Sequence, residues 1–398
     1  MDLASAEPST LPPPFSRLFL RFLVLGLTAF GGPAMVTYIQ KLAVNQEHWL
    51  DQPTFHKGVA LCQTVPGATA MQTAAYVGLK ARGIAGALVT FVAFGLPAVL
   101  LMLILSILYT GIVHTSSVTV FFTGLQAIVV AIVAAGTFTF GKQLITRYRH
   151  VIPVGIAAIL FLVGIHPILI ILLSGVIGVL SLRATTISNN ENPIGTIRVP
   201  TSVVIGLGLI AIAGMGLIAL FFINPILFSL AFTMARIDLF AFGGGQAALP
   251  LMLQDVVVVH GWMNSSTFLD GVALGQITPG PIVVTATFVG YLINGWTGAL
   301  CATVGMFTPS FLIIVLTEPY YEQLLRSPWF SSAFQGIILS FVGLLLSTTV
   351  KFTLAIPWTW FLTLLTIGVL AGLLKGFRIT WIVAIGLVLS VLYGIAFV

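Results

Sequence analysis

Apolar runs, most of them long enough to cross a bilayer, follow one another along almost the whole chain. They lie at roughly 17–41, 57–79, 84–109, 118–141, 151–165, 167–182, 201–223, 229–254, 268–292, 296–317, 332–350, 355–373 and 378–397. In lipid such runs must satisfy their own backbone groups, so each is read as helical. Polar residues are confined to short connections, apart from one longer stretch, RATTISNNENPIGTIR at 183–198. Several runs are interrupted from within. Glycine and proline, the two weakest helix formers, break AFGGP at 29–33, TVPG at 64–67, AFGGG at 241–245 and ITPGP at 277–281.

The interruptions are paired by an internal repeat. GVALCQTVPG at 58–67 aligns with GVALGQITPG at 271–280, and AFGG at 29–32 with AFGG at 241–244. Gly78 faces Gly290, GAL at 86 faces GAL at 298, and Pro97 faces Pro309, at a constant offset of 212 or 213. Two homologous halves of six apolar segments follow, at 17–182 and 224–398. A tail at 1–16 precedes them, and a polar linker at 183–200 and a connecting helix at 201–223 separate them. The odd connecting helix inverts the second half relative to the first.

Composition agrees with a membrane protein: 58% of residues are hydrophobic and 7% charged, with a mean hydropathy of +1.12. So few charges exclude a water-soluble domain of this size. The net charge of +6 does not indicate nucleic acid, because the basic residues lie in short loops between apolar segments. Lys41, Lys57, Lys80, Arg82, Lys142, Arg147 and Arg149 mark loops of the first half as cytoplasmic. The first two loops of the second half carry no lysine or arginine. That asymmetry supports inversion and favours re-entrant hairpins over full spans for the first two segments of each half. The rule then places Arg183, Arg198, Arg326, Lys375 and Arg378 inside, with Lys351 as the exception. The N-terminal residues lack a basic n-region and a cleavage site, so a short cytoplasmic tail is expected rather than a signal peptide. Cys62 and Cys301 lie in apolar segments, and no histidine pair has zinc-site spacing. No metal or cofactor is expected.

A broken helix inside lipid frees N–H and C=O groups, which is tolerated only where they are buried in protein or line a cavity. Each helix that restarts after a break presents free amides and a positive dipole end. Four such ends near the midplane would form an anion site made of backbone. The candidate substrate-binding residues are therefore Gly31, Gly32, Pro33, Gln63, Thr64, Pro66 and Gly67 in the first half. In the second half they are Gly243, Gly244, Gly245, Gln246, Gln276, Thr278, Pro279, Gly280 and Pro281. Pro33 and Pro281 suit the first turn of a restarted helix. Intramembrane charge adds Arg236 as a ligand and Asp238 as a coupling candidate, while Arg21 is read as snorkelling to the interface. Glycines at 175–178 and 206–214 are read as helix packing. No nucleophile–base pair or metal triad is visible, so an enzyme is not expected.

These same residues resemble the chromate ion transporter family in its long, two-halved form. The carriers are FGGP at 30–33, WLDQPTF at 49–55, QTVPG at 63–67, FGGGQAALPLM at 242–252, GWMNSSTFLDGVALGQITPGP at 261–281 and TATFVGY at 285–291. The resemblance implies export of chromate, a tetrahedral dianion, driven by membrane potential or a proton gradient. It matches Arg236 to a usually basic position, with Val24 at the equivalent site of the first half. It also shows departures: PGATA at 66–70 where relatives often read PGPEA, Gln276 where they often carry glutamate, and Asp238 where many have glycine.

The expectation is an all-α integral membrane protein of two inverted repeats plus a connecting helix, with broken or re-entrant helices. It would work as an alternating-access secondary transporter in the plasma membrane, the inner membrane of a bacterium. Its partners would be chromate or a sulfate-like oxyanion and the lipid bilayer, with a homodimer as an option. Sulfate or other oxyanion uptake or exchange, or an anion channel, are the alternatives.

Overall fold

In the computed structural model, residues 12–30, 34–112, 116–181, 200–377 and 379–397 are described. They form helices and connections, with no strand among the described residues. The first half begins with α1 (Phe15–Thr28), interrupted before α2 (Ala34–Gln40), which continues as a π-helix to Gln46. Next come α3 (Gln52–Thr64) and, after a second interruption, α4 (Thr69–Ile112), whose axis breaks at Arg82 and Gly83. The long helix α5 (Ser116–Leu144) and the shorter α6 (Val151–Leu162) and α7 (Pro167–Ser181) complete it.

The connecting helix α8 (Thr201–Ile223) is followed by the same plan. Helix α9 (Pro225–Leu239) is interrupted before α10 (Ala248–Met252), which extends as a π-helix to Val259. Helix α11 (Ser265–Ile277) is interrupted before α12 (Thr285–Thr317), which breaks at Asn294 and Gly295. Then come α13 (Tyr321–Arg326), α14 (Pro328–Ala355), α15 (Trp360–Leu374) and α16 (Ile379–Phe397). Gly83 and Gly295, at φ 66° and 56°, turn the chain at matching places, as glycine alone does without a steric penalty.

The first two segments of each half are hairpins. Arg17 and Arg21 on α1 hold Glu47, beyond the end of α2, at 2.8 and 2.7 Å. A helix rises about 1.5 Å per residue, so an α2 that carried on through the bilayer would leave Glu47 far from Arg17. Arg21 therefore has an ion-pair partner rather than a merely snorkelling head. Tyr76 on α4 donates to Thr54 O at the start of α3 (3.2 Å), which closes the second hairpin in the same way. In the second half Arg236 on α9 reaches Asp255 on the returning arm (2.6 Å). The aqueous ends of the hairpins are capped alike, Asp51 accepting from Thr54 N and Asn264 from Thr267 N. Asn264, first residue of an Asn-Ser-Ser acceptor pattern, is thereby the cap of α11.

The two halves interleave rather than lie side by side. Helix α9 packs along α12, α1 along α4, and α4 along α12, while α14 lies against α6 and α7. Small residues permit the closest approaches: a Cβ on Gly178 would lie 2.4 Å from Ser332 O, and one on Gly336 2.1 Å from Ser174 O. Packing thus accounts for the glycines at 175–178. Along α8 it accounts for Gly206, against Leu316, but not for Gly208 or Gly214, where a Cβ would meet nothing within 4 Å. Helix α8 also turns much of its apolar surface outward, as a lipid-facing span does.

Candidate functional site

The interruptions after α3, α9 and α11 and the end of α1 meet in the interior, where main-chain bonds cross between the halves. Gly67 N donates to Ala241 O, and Gly280 N donates to Ala29 O, both at 3.0 Å. Ala29 and Ala241 are repeat equivalents, as are Gly67 and Gly280, so the two bonds are images of each other. The backbone there needs glycine: φ is 121° at Gly67, 97° at Gly243, 92° at Gly244 and 114° at Gly280. Space requires it too, since a Cβ on Gly67 would lie 2.4 Å from Ser310 Oγ and one on Gly280 2.5 Å from Ala98 Cβ.

Three restarted helices point together. A Cβ on Gly244 would sit 3.0 Å from Thr69 Oγ1, at the start of α4. One on Gly245 would sit 3.9 Å from Ile282 N, at the first amide of the turn leading into α12. Five helices that start at aqueous ends carry side-chain caps, from Asp51, Asn224, Asn264, Ser327 and Thr359, while α1, α6 and α8 do not. The turns starting at Gly245 and Ile282 have none. Uncapped amides directed at a shared interior position are suited to an anion. Pro281 stands one residue before the turn it was expected to open. The fourth interruption, Gly31, Gly32 and Pro33, lies outside the described residues.

The expected polar ligands divide. Thr278, Pro279, Gly280 and Pro281 are buried, and Pro66, Gly245, Gln246 and Gln276 half-buried, around the crossing. Gln276 Nε2 is buried without a hydrogen-bond partner among the described residues. Gln246 lies against α5, where a Cβ on Gly136 would be 2.5 Å from its Oε1. Gln63, by contrast, is exposed. Thr64 donates to Ala60 O at 2.7 Å, and Thr278 to Leu274 O, so both hydroxyl protons are committed one helical turn back.

Arg236 and Asp238 part company, as residues two apart on a helix must. Arg236 Nη2 donates to Asp255 Oδ1, and His166 Nε2 lies 3.0 Å from the same oxygen. Asp255 is fully buried. In this conformation Arg236 fastens its own hairpin. Asp238, also fully buried, instead accepts from Ser310 Oγ at 3.0 Å, and that hydroxyl accepts from Ala68 N at 2.8 Å. Gln72 braces the same place, its amide donating to Pro66 O at 2.6 Å. A carboxyl, a hydroxyl and a main-chain amide thus run in line to the interruption between α3 and α4. At the equivalent positions the first half has Gly26 and Ala98, so this chain exists on one side only.

Asp255, His166, Ser310, Gln72 and Thr69 are the site-forming residues that sequence reading missed. Asp255 had a signal, being a lone acid within the apolar LPLMLQDVVVV. Ser310 and Thr69 had none, since their role comes from the crossing of the halves.

The comparisons with known proteins agree with this architecture. A family model described as "Chromate transporter" matches residues 16–179 and 228–394, one match per half. The chain is 39% identical over 379 residues to an uncharacterized transporter of Methanocaldococcus jannaschii, covering 94% of each. It is 30% identical over 360 residues to a chromate transport protein of Pseudomonas aeruginosa, covering 87% of this chain and 83% of the other. A chromate transport protein of Cupriavidus metallidurans is 29% identical over 333 residues, 82% and 80% of the two chains. No solved structure matches. Inverted halves with interlocked interruptions, each matched by the same model, lead to one conclusion: this chain is a multi-pass membrane protein belonging to the chromate transporter family, whose members are transporters and not enzymes.

Proposed function

We propose that the protein exports chromate from the cytoplasm by alternating access around the crossed interruptions. The observation that carries this reading is the approach of the helix starts at Thr69, Gly245 and Ile282, the last two without a side-chain cap. Backbone donors surround a tetrahedral oxyanion without a fixed full charge, so release is not opposed by a buried ion pair. Gln246 and Gln276 add side-chain donors. Arg236 joins the site only when it leaves Asp255.

Sidedness follows from charge. The face bearing Arg17, Lys57, Lys80 and Arg82 is cytoplasmic under the positive-inside rule. Arg17, Lys57 and Lys80 are neutralised there by Glu47, Glu322 and Glu318. The field that raises the local concentration of a dianion at the inner mouth therefore comes from the other basic loop residues, Lys41, Lys142, Arg147 and Arg149. Moving two negative charges out of a cell negative inside is favoured by about 4.6 kcal/mol per 100 mV, so potential alone suffices as a driving force. The line Asp238–Ser310–Ala68 N is the place where a proton would enter the cycle.

The test is chromate uptake into everted vesicles with an imposed potential or an imposed pH gradient. Saturable uptake that follows the potential and is lost in Gly280→Ala supports the reading. Uptake that sulfate drives or out-competes at equal concentration favours the oxyanion-exchange alternative. Ohmic flux indifferent to a counter-gradient indicates a channel.

A further inference from the structure

Outside the central crossing, the two faces of the protein are closed by fasteners that the repeat makes equivalent but chemistry makes unequal. Lys57, near the aqueous end of α3, and Asp270, near the aqueous end of α11, occupy matching positions of HKGVAL and LDGVAL. Each ties the second hairpin of its own half to a helix of the other half. On the basic face Lys57 pairs with Glu322, and Lys80 with Glu318, at the junction of α12 and α13. On the opposite face Asp270 Oδ2 accepts from Tyr109 Oη (2.8 Å) at the far end of α4, and its Oδ1 accepts from Gln126 Nε2 of α5 (2.7 Å). Gln126 also donates to Ser266 Oγ at 2.9 Å.

The surroundings differ sharply. Lys57 and Glu322 side chains are 49% and 65% exposed, and Lys80 and Glu318 37% and 20%. Asp270, Tyr109 and Gln126 are 5%, 5% and 3% exposed. Water and salt weaken an exposed pair, and its charges remain solvated when it opens. Opening the buried cluster leaves a carboxylate, a phenol and an amide without partners until water arrives, a far larger cost. Tyr109 is further held by edge-to-face rings, Phe122 at 5.0 Å and Phe288 at 5.1 Å.

We infer that Lys57–Glu322 with Lys80–Glu318, and Asp270–Tyr109–Gln126, are the two gate latches of the transport cycle, and that their inequality makes the resting protein open preferentially toward its basic face. The inference rests on the alternating-access reading. Both latches are closed in this structure, which is the occluded arrangement that an alternating cycle passes through. A transporter that loads an anion from the basic side needs its empty form to wait with that side accessible. A weak, screened latch there and a buried latch opposite produce that bias without any ligand.

The experiment reads access rather than flux. In a Cys62→Ala, Cys301→Ala background, Gln276→Cys reports on the interior, and a membrane-impermeant maleimide is applied from either face in oriented vesicles. Labelling from the basic face should be the faster and should rise about two- to threefold in Lys57→Gln/Lys80→Gln or at high salt. Tyr109→Phe removes one hydroxyl and keeps the rings packed, so it preserves the fold. It should raise labelling from the opposite face roughly tenfold, with Gln126→Ala acting in the same direction. Equal labelling from both faces in the parent, or Tyr109→Phe leaving opposite-face labelling unchanged, overturns the inference. Labelling that shifts as stated while the protein with Gln276 intact carries no chromate flux would instead leave the latches standing and reject chromate as the substrate.

Discussion

Gly280→Ala is the sharpest single perturbation of the crossing. Two separate costs arise. The residue sits at φ 114°, outside the left-handed helical well as well as the common regions, and a non-glycine residue held there costs about 1–3 kcal/mol. Its new methyl would lie 2.5 Å from Ala98 Cβ on α4, and such overpacking costs a further ~1–3 kcal/mol. The sum, about 2–6 kcal/mol, rivals the whole stability margin of an ordinary domain. Relief by backbone movement would break the Gly280 N–H bond to Ala29 O. The expected outcome is a large fall in the melting temperature of the purified protein and loss of vesicle uptake. Ala98→Gly separates the two costs. It removes the methyl that is struck and itself costs only about 1 kcal/mol in helix propensity, so the double variant should recover ~1–3 kcal/mol relative to additivity. Gly295→Ala, at φ 56° with nothing near its Cβ, reports backbone strain without the clash and should be the milder of the two. If Gly280→Ala melts and transports like the parent, or Ala98→Gly restores nothing, the crossing is not packed as described.

Three other outcomes follow from the ion pairs and caps. Asp255→Ala strands Arg236 and should destabilise by about 3–5 kcal/mol, whereas Arg236→Met/Asp255→Leu should lie much nearer the parent, both read by thermal melting. Glu47→Gln removes the carboxylate shared by Arg17 and Arg21; protease cleavage in the 47–51 turn should accelerate, while Arg17→Gln alone should change little because Arg21 retains the bond. Asp51, in an aqueous turn, has its carboxyl held below the usual range by hydrogen bonds from the Thr54 side chain and amide. A depressed folded value means its contribution is present above the unfolded carboxylate pKa and is lost as pH falls through the folded one. Asp51→Asn should therefore behave like the parent at neutral pH but lose the acid-side sensitivity, measured by melting across an acid titration.

Much of the architecture was legible because lipid leaves few options. Apolar length gave the helices, the 212–213 offset gave the halves, and the missing lysines beside His260 gave the inversion. Hairpins were favoured by charge and are fixed by particular contacts, Glu47 returning to Arg17 and Tyr76 to Thr54. The site was legible only where backbone chemistry decides it: glycines at positive φ announce themselves in sequence. Arg236 illustrates the limit. Its rarity in the membrane signalled importance, but the choice between a substrate and Asp255 depends on the fold of a neighbouring arm 19 residues on. Ser310 was invisible for the same reason, since a serine after a proline has no distinctive pattern until the other half brings Ala68 N against it.

The reciprocal bonds from Gly67 to Ala241 and from Gly280 to Ala29 carry a consequence for how the molecule can move. Other amides at the interruptions bond within their own half, but Gly67 N and Gly280 N each find their acceptor across the pseudo-symmetry axis. A rigid rotation of one half against the other would tear both bonds at once in a dry interior, where unpartnered amides and carbonyls are costly. Motion that swings the hairpins about the crossing, with the bonds kept as a pivot, avoids that cost. The chain breaks at Arg82–Gly83 and Asn294–Gly295 are placed for such a swing, because they join each second hairpin to its long span through glycines with free space around them. Stiffening either joint while leaving the crossing untouched then separates the two kinds of motion. Gly83→Ala and Gly295→Ala, which stiffen the joints at about 1–3 kcal/mol each with free space for the methyl, should each slow uptake while the protein still folds and binds. A rocking mechanism would tolerate both, and single-turnover uptake set against ligand-dependent melting distinguishes them.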